Sequence, residues 1–190
     1  MIQVTISDLE VFATAIQGLS AQLLGSQFAL DVETTGLDEH DRIFGLIIYS
    51  PKRSFYFNFN ELEDMHLPKE SFKLFKPLFE DKSKSWFIHN AIFDLAMLKK
   101  ENLFIKGKVY CTMTLERVIR NNRMQYGLDA LAKVYEKIIP GMTLKLGDEV
   151  KEYITKNRCF TKHKIEGKDT LVKKMHYDFV PLDLMARYGH

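Results

Sequence analysis

FALDVETTGLD, residues 28–38, predicts a buried strand that ends in an acidic turn. Because side chains alternate along a strand, Asp31 and Glu33 share one face, and the large apolar residues fall on the opposite face. The strand ends at Thr34-Thr35-Gly36, so both acids lie near its carboxyl end. Open α/β sheets bind their ligands at this edge, and the two acids are therefore candidates for a functional site.

Two carboxylates on an apolar strand need either a cation or solvent to be stable. Like charges repel, and burial disfavours the ionised form of each acid. A divalent ion such as Mg²⁺ takes oxygen ligands and commonly binds one or two carboxylates together with a substrate phosphate. The D-x-E pattern by itself favours a metal site no more than a solvated strand end, so the rest of the chain must distinguish the two.

Composition indicates one domain, or one domain with an appendage. The chain has 190 residues, and 46% of them are hydrophobic, which is ample for a core. No apolar run reaches membrane-spanning length and no signal-peptide pattern opens the chain, so we expect no membrane partner. Cys111 and Cys159 are too few for a disulfide framework and favour a reducing, intracellular setting.

Charge is unevenly distributed, although the net charge is only +2. Residues 1–50 contain seven acidic residues and one basic residue, whereas residues 151–176 contain eight Lys or Arg and three acidic residues. An acidic site at one end and a basic segment at the other suit a metal centre that acts on a polyanion. Ordinary surface charge produces the same asymmetry, so this observation is weak evidence.

Hydrophobic periodicity and turn residues predict alternating strands and helices along the chain. After the first strand, two more at 43–49 and 54–59 predict an antiparallel meander beside the acidic pair. Short strands are predicted at 86–88 and 109–110, and helices at 7–24, 71–81, 90–102, 112–122, 127–135, 145–157 and 181–190. Residues 158–176 are basic and lack periodicity, which predicts a loop or flap.

Asp94 is a third candidate acid. It lies in the first turns of the helix that begins at Asn90, and its neighbours over 91–97 are nearly all apolar. We therefore expect Asp94 to be at least partly buried rather than exposed on the helix. A buried acid needs a partner, because an unpaired charge is costly away from water.

Three stretches resemble the three motifs of proofreading 3′–5′ exonucleases, a superfamily named DEDD after four acidic residues. They are DVETTGLD (31–38), HNAIFDLAML (89–98) and VPLDLMARYGH (180–190), and they follow the family's order. The likeness is greatest to the proofreading domain of family A DNA polymerases, especially the bacteriophage type, and it extends over nearly the whole chain. It implies a ribonuclease-H-like α/β fold, with a mixed five-stranded sheet and helices on both faces.

The resemblance also implies roles for individual residues. Asp31, Glu33 and Asp94 resemble the ligands of two metal ions, Mg²⁺ or Mn²⁺. Tyr188 resembles the tyrosine that orients the attacking water, and these four residues would form the catalytic set. Leu37 resembles the wedge that separates the terminal bases. The residues that would contact the end of the nucleic-acid strand are Thr34, Leu37, His89, Asn90 and Phe93.

The third motif departs from the family's pattern, Tyr-x-x-x-Asp. With Tyr188 as its tyrosine, the aspartate would fall at position 192, beyond His190. The variant with histidine as its first residue would also place its aspartate beyond the end. We therefore expect residues 1–190 to be a single exonuclease domain from the N-terminal part of a longer DNA polymerase, cut just before the end of the third motif.

The implied activity is metal-dependent proofreading at single-stranded DNA 3′ ends. The implied partner is a polymerase domain, in the same chain or as a separate one, and the implied location is cytoplasmic, in a bacterial host cell if the protein is phage-encoded. Two alternatives stay open. One is an RNA-processing exonuclease of the same fold, because the sequence is silent on 2′-hydroxyl contacts. The other is a catalytically incomplete nucleic-acid-binding module, since position 192 is lacking.

Overall fold

The computed structural model describes residues 2–20, 26–38, 40–51, 53–138, 146–164 and 171–189. Within these ranges the strands are β1 (Ile2–Ile6), β2 (Gln27–Thr34), β3 (Ile43–Tyr49), β4 (Arg53–Asn58), β5 (Ser85–Ile88), β6 (Lys108–Cys111), β7 (Phe160–Lys164) and β8 (Leu171–Met175). The helices are α1 (Leu9–Ser20), α2 (Lys76–Phe79), α3 (Ala91–Lys100), α4 (Thr112–Ile119), α5 (Leu128–Tyr135), α6 (Leu146–Lys156) and α7 (Leu182–Gly189). A 3-10 helix over Lys69–Phe75 leads into α2, and a 3-10 turn over Tyr177–Phe179 precedes α7.

Strand β2, which carries Asp31 and Glu33, lies inside a six-stranded mixed sheet. The strand order is β1-β4-β3-β2-β5-β6, and the pairs β2–β3 and β3–β4 are antiparallel. The other three pairs are parallel. The predicted meander is therefore confirmed, but the sheet has one strand more than the five expected. The additional strand, β1, lies at an edge, and its sequence IQVTI alternates apolar and polar residues, which is a strand signal that the sequence analysis overlooked.

Apolar side chains cover both faces of this sheet and form two cores. The larger core packs α1, α2 and α3 against one face and includes the fully buried Trp86. The second core packs α6 and α7 against the other face and includes Ile47 of β3. Leu30 and Val32 belong to the larger core, whereas Asp31 is directly opposite Ile47. The acids of β2 therefore point to the side of the sheet that α6 and α7 cover.

The basic segment 158–176 contains a β-hairpin, so the prediction of a loop or flap was wrong. Strands β7 and β8 pair antiparallel in a separate two-stranded sheet, with Phe160 opposite Met175. These two side chains pack against the second core. The other positions are mostly Lys, Thr and His, so the segment lacks the hydrophobic alternation that would have indicated strands.

Three predicted helices have clearly different bounds in the structure, and one of them, predicted over 112–122, ends at Ile119. The helix predicted over 7–24 is described only as far as Ser20, and residues 21–24 lie outside the described residues. The segment predicted as a helix over 71–81 is a 3-10 helix followed by the single turn α2. Pro77, at the start of α2, has no N–H to bond the preceding turn, which explains why a regular α-helix does not run through the segment. None of the described helices is long and apolar enough to cross a membrane.

Candidate active site

Asp31 and Glu33 lie on one face of β2, a strand that is paired on both sides. In the neighbouring strand β3, Ile47 is opposite Asp31 and Gly45 is opposite Glu33. The register then shifts between Glu33 and Thr34, which ends the regular pairing directly after the two acids. Both carboxylates are thus held on the same side of β2 near its carboxyl end, as the alternation of side chains predicts.

Helix α3 brings the third acid, Asp94, to the same strand. Strand β5 ends at Ile88, which is opposite Leu30, so β5 provides no partner for β2 beyond that point. The N–H of Val32 instead donates a hydrogen bond of 3.2 Å to Oδ1 of Asp94. Asp94 is 2% exposed, which confirms the expected burial. An acid 62 residues away in sequence therefore contacts the backbone between Asp31 and Glu33.

Burial raises the pKa of all three acids, and neighbouring negative charge adds to the shift of Glu33 and Asp94. Burial and then the negative charges of Asp31 and Asp94 raise the pKa of Glu33 well above its usual value. Burial and then the charge of Asp31 raise the pKa of Asp94 to about 7. Asp31 keeps contact with solvent, but the surrounding protein removes enough hydration to raise its pKa to about 6. The site therefore holds more negative charge than nearby protein groups neutralise.

This charge excess and the ligand chemistry fit a hard divalent cation. Carboxylate oxygens are the ligands that Mg²⁺ prefers, and a nearby cation favours the ionised form of each acid. In the part of the chain that the structure describes, no group of three or more Asp, Glu, His or Cys side chains is placed so that it could hold a metal ion. Asp31, Glu33 and Asp94 are the residues that could supply oxygen ligands here.

Tyrosine side chains surround the acids on the side of α6 and α7. Tyr188 of α7 packs against the second core, and burial followed by the charges of Glu33 and Asp31 raises its pKa. Burial and the same two charges raise the pKa of Tyr49, and burial and Glu33 raise that of Tyr177. The structure thus places Tyr188 within electrostatic range of the acids, and its hydroxyl stays protonated at neutral pH.

Gly45 leaves room for another tyrosine beside Glu33. A Cβ atom at position 45 would collide with the hydroxyl of Tyr56 and would lie 3.1 Å from the Cβ of Glu33. Tyr56 is fully buried, and its pKa is raised by burial and then by the charge of Glu33. The Tyr56 ring therefore extends over Gly45 toward Glu33 and limits the space in which the Glu33 side chain can move.

A cleft of about 500 Å³ opens beside the acids. Its lining combines residues 32–34 and 36–38, at and after the end of β2, with residues 172–175 and 177, in and after β8. Glu33 and Leu37 belong to the first of these segments. Leu37 is 82% exposed, so its side chain is available to contact a ligand in the cleft.

Ion pairs join the two segments that line the cleft. Nζ of Lys174 lies 3.0 and 3.1 Å from the carboxylate oxygens of Asp41 and 3.2 Å from Oδ2 of Asp38. We call these three residues the Lys174 clamp. Burial acts to raise the pKa of Asp41, but hydrogen bonds from the Asp38 N–H, Lys174 and the Thr35 hydroxyl lower it overall. Lys100 of α3 also donates to the carbonyls of Asp38 and Asp41, which ties this loop to the helix of Asp94.

A sequence model of the 3′–5′ exonuclease found in family A DNA polymerases matches residues 3–166. The chain belongs to the 3′–5′ exonuclease family. A phage relative agrees: DNA polymerase DpoZ of Salmonella phage PMBT28 is 31% identical over 115 residues. That match covers 59% of this exonuclease chain and 17% of the phage polymerase, so it concerns a small part of the relative's length.

Solved structures confirm the ribonuclease-H-like fold of the exonuclease. Trypanosoma brucei RNase D in complex with GMP has a TM-score of 0.63 and 18% identity, over 80% of this chain and 46% of that one. Brucella melitensis NrnC has a TM-score of 0.58 and 18% identity, over 100% of this chain and 74% of that one. NrnC has also been solved with bound Mg²⁺, and that structure has a TM-score of 0.50 and 17% identity, over 86% of this chain and 64% of that one.

His89 is a predicted nucleic-acid contact whose ring is already engaged within the exonuclease. Its Nδ1 lies 3.0 Å from the Thr112 hydroxyl, and its Nε2 lies 2.9 Å from the Tyr126 carbonyl oxygen. Burial lowers the pKa of His89, which favours the neutral ring. His89 therefore fixes the turn before α3 against α4, and its contact with nucleic acid stays a prediction.

The other predicted contact residues differ in exposure. Thr34 is buried, and its hydroxyl donates to the Gly36 carbonyl over 2.7 Å. Asn90 is exposed and has a left-handed backbone, with φ of 57°, directly before α3. Phe93 is half-buried and packs against the larger core. Leu37 and Asn90 are thus the more accessible of the predicted contacts, and their binding to a strand end stays a prediction.

Sequence analysis missed the Lys174 clamp and the contact of Tyr56 with Gly45. A glycine inside an apolar strand often marks a close approach by another group, so Gly45 carried a usable signal. Lys174 carried none, because its partners Asp41 and Asp38 lie 133 and 136 residues earlier in the chain.

Proposed function

We propose that this chain is the proofreading exonuclease of a family A DNA polymerase and removes nucleotides from the 3′ end of single-stranded DNA. The observation that carries the proposal is the hydrogen bond from the Val32 N–H to Asp94. This hydrogen bond holds the acid of the second family motif, Asp94, beside the two acids of the first motif at the carboxyl end of β2. The family match and the phage polymerase relative support a polymerase domain as partner, in the same chain or as a separate one.

The reaction would hydrolyse the terminal phosphodiester and release a nucleoside 5′-monophosphate. Two Mg²⁺ or Mn²⁺ ions held by Asp31, Glu33 and Asp94 would activate a water molecule and stabilise charge on the attacking and leaving oxygens. Tyr188 remains protonated, so its hydroxyl can hydrogen-bond the water and orient it toward phosphorus. Tyr56 lies beside Glu33 across Gly45 and would restrict its side chain, which would help Glu33 to align the same water.

The cleft beside Glu33 suits a single strand. An exposed Leu37 can pack against an unstacked base without reading its identity, because every base has an apolar face. Lysines of β8 line the same cleft, and their contacts with phosphates would make binding weaken as salt is added. A duplex would have to fray before its 3′ end could reach the acids.

A second candidate is an RNA-processing exonuclease with the same residues in the same roles. The structural likeness to Trypanosoma brucei RNase D in complex with GMP favours this alternative. Both candidates use the same hydrolytic chemistry and differ in whether the 2′-hydroxyl is accepted. Comparison of matched DNA and RNA oligonucleotides therefore distinguishes them.

Digestion of 5′-labelled oligonucleotides tests the proposal. The family's third-motif aspartate would fall at position 192, so the assay uses a chain extended through that residue beside residues 1–190. We expect a ladder of products shortened from the 3′ end, dependence on Mg²⁺ or Mn²⁺, and faster cleavage of single strands than of blunt duplexes. The Asp94→Asn variant is the inactive control. Release from the 5′ end, or faster cleavage of blunt duplex, would refute the proposal, and a preference for RNA would favour the second candidate.

A further inference from the structure

The β7–β8 hairpin is attached to the rest of the molecule at two places. At its base, Phe160 and Met175 pack against the second core, and the His176 N–H donates to the Cys159 carbonyl over 3.0 Å. Farther along β8, the Lys174 clamp fixes the hairpin to the loop that carries Leu37. The hairpin is therefore held beside the cleft that contains Glu33.

Two lysines of the hairpin are directly opposite each other. Lys162 of β7 pairs with Lys173 of β8 in the antiparallel register, so their side chains project from the same face. Alternation along β8 puts Lys173 on the face opposite to that of Lys174. One face of the hairpin is thus tied to the protein by the clamp. The other face carries the two lysines, and beside them at the base Phe160 and Met175 pack against the second core. We call Lys162 and Lys173 the lysine pair.

The lysine pair lacks a neutralising acid in the described ranges. Both side chains are exposed, and no carboxylate of a described residue forms an ion pair with either. Nζ of Lys173 lies 4.4 Å from the centre of the Phe160 ring. Like charges directly opposite each other destabilise a strand pair, and an anion between them relieves the repulsion. Lys174, by contrast, has two carboxylates beside it.

We propose that the lysine pair binds the phosphate backbone of the single strand whose 3′ end lies in the cleft. Lys173 lines that cleft, so a strand that leaves it passes the hairpin. A polymer with a phosphate at every nucleotide can place one phosphate beside each of the two adjacent ammonium groups. This inference rests on the proposed function for the direction of the strand, and it adds a binding surface outside the acidic site.

Salt-dependent binding of the Lys162→Gln/Lys173→Gln double variant tests the inference. A labelled single-stranded oligonucleotide is titrated at several NaCl concentrations without divalent ions, so that the result does not depend on hydrolysis. Loss of two phosphate contacts should reduce the slope of log K against log salt by about 1.4 and weaken binding about 25-fold at 0.1 M NaCl. Removal of the like-charge pair should leave the thermal midpoint unchanged or raised.

A matched control is Lys73→Gln/Lys82→Gln, which removes the same charge from exposed lysines outside the cleft lining. We expect the control to bind with nearly the wild-type slope. We call Lys162→Gln/Lys173→Gln the hairpin variant. An unchanged salt slope in the hairpin variant, or an equal loss of slope and affinity in the control, would overturn the inference.

Hydrolysis separates this inference from the proposed function. In the extended chain, the hairpin variant should lose more kcat/KM on a longer oligonucleotide than on a dinucleotide, because only the longer strand reaches both lysines. A parallel loss on both substrates would overturn the role of the lysine pair in backbone binding. If the wild type does not hydrolyse either substrate, the proposed function is contradicted. If the hairpin variant nevertheless shows the expected reduction in the slope of log K against log salt, the binding surface is still supported.

Discussion

Replacement of Asp94 by asparagine should stabilise the metal-free protein at alkaline pH while removing activity. Asp94 is 2% exposed, and burial together with Asp31 raises its pKa from an ordinary 3.8 to about 7. Between these two values the folded state holds a proton that the unfolded state has released. The free energy of unfolding therefore decreases as pH rises through this range, and the loss is complete above the folded pKa.

The expected magnitude follows from the size of this shift. Three pKa units correspond to about 4 kcal/mol, at about 1.4 kcal/mol per unit, and this is an upper limit on the gain from the substitution. Asparagine keeps an oxygen that can accept the hydrogen bond from the Val32 N–H, so the contact between α3 and β2 is preserved. The difference in stability between variant and wild type should be near zero below pH 4 and should reach a plateau above pH 7.

Urea unfolding at a series of pH values in EDTA measures this difference. The single tryptophan, Trp86, is fully buried in the larger core and provides the fluorescence signal. The exposed Asp64→Asn is the control and should show no such pH-dependent difference. Addition of Mn²⁺ should stabilise the wild type more than Asp94→Asn, because an ion that binds only the folded state adds to its stability. A variant that is less stable than the wild type at pH 8, or a difference independent of pH, would refute the reasoning.

Three further predictions concern the same site. Asp31→Ala should reduce Mn²⁺ binding, measured by calorimetry, more than Asp94→Ala does, because Asp31 is expected to contact both ions; wild-type binding in Asp31→Ala would contradict the assignment. Leu37→Ala should lower cleavage by about tenfold and leave Mn²⁺ affinity unchanged, and a parallel fall in affinity would show that Leu37 supports the metal site. Gly45→Ala should displace the Tyr56 ring, destabilise the fold by about 1–3 kcal/mol and slow cleavage. The control variant Tyr56→Phe should retain most of the stability. If the two variants lower the free energy of unfolding in urea equally, steric contact at Gly45 is not the cause.

The parts of the fold that sequence predicted are those with strong local patterns. Strands β2, β3 and β4 are apolar and bounded by turn residues, so their meander was predictable, as was the burial of Asp94 among apolar neighbours. The β7–β8 hairpin was not, because its stability comes from Phe160, Met175 and the ion pairs of Lys174 rather than from alternation. Edge strand β1 did carry a local signal, the alternation in IQVTI, but its pairing with β4 depends on residues that are distant in sequence.

Several local features that ordinarily cost stability lie in or beside the candidate active site. Two acids share a strand face, the register shifts after Glu33, Gly45 interrupts an apolar strand, and Lys162 is opposite Lys173. Each of these features costs stability by itself, and a fold tolerates such costs where well-packed elements surround them. Strand β2 meets this condition, because it is paired on both sides and its apolar face lies in the larger core. Substitutions that remove the like charges among these features should therefore tend to raise stability and reduce function, which is the relation expected of residues kept for chemistry rather than for folding. Gly45 differs, because a side chain at this position would collide with Tyr56.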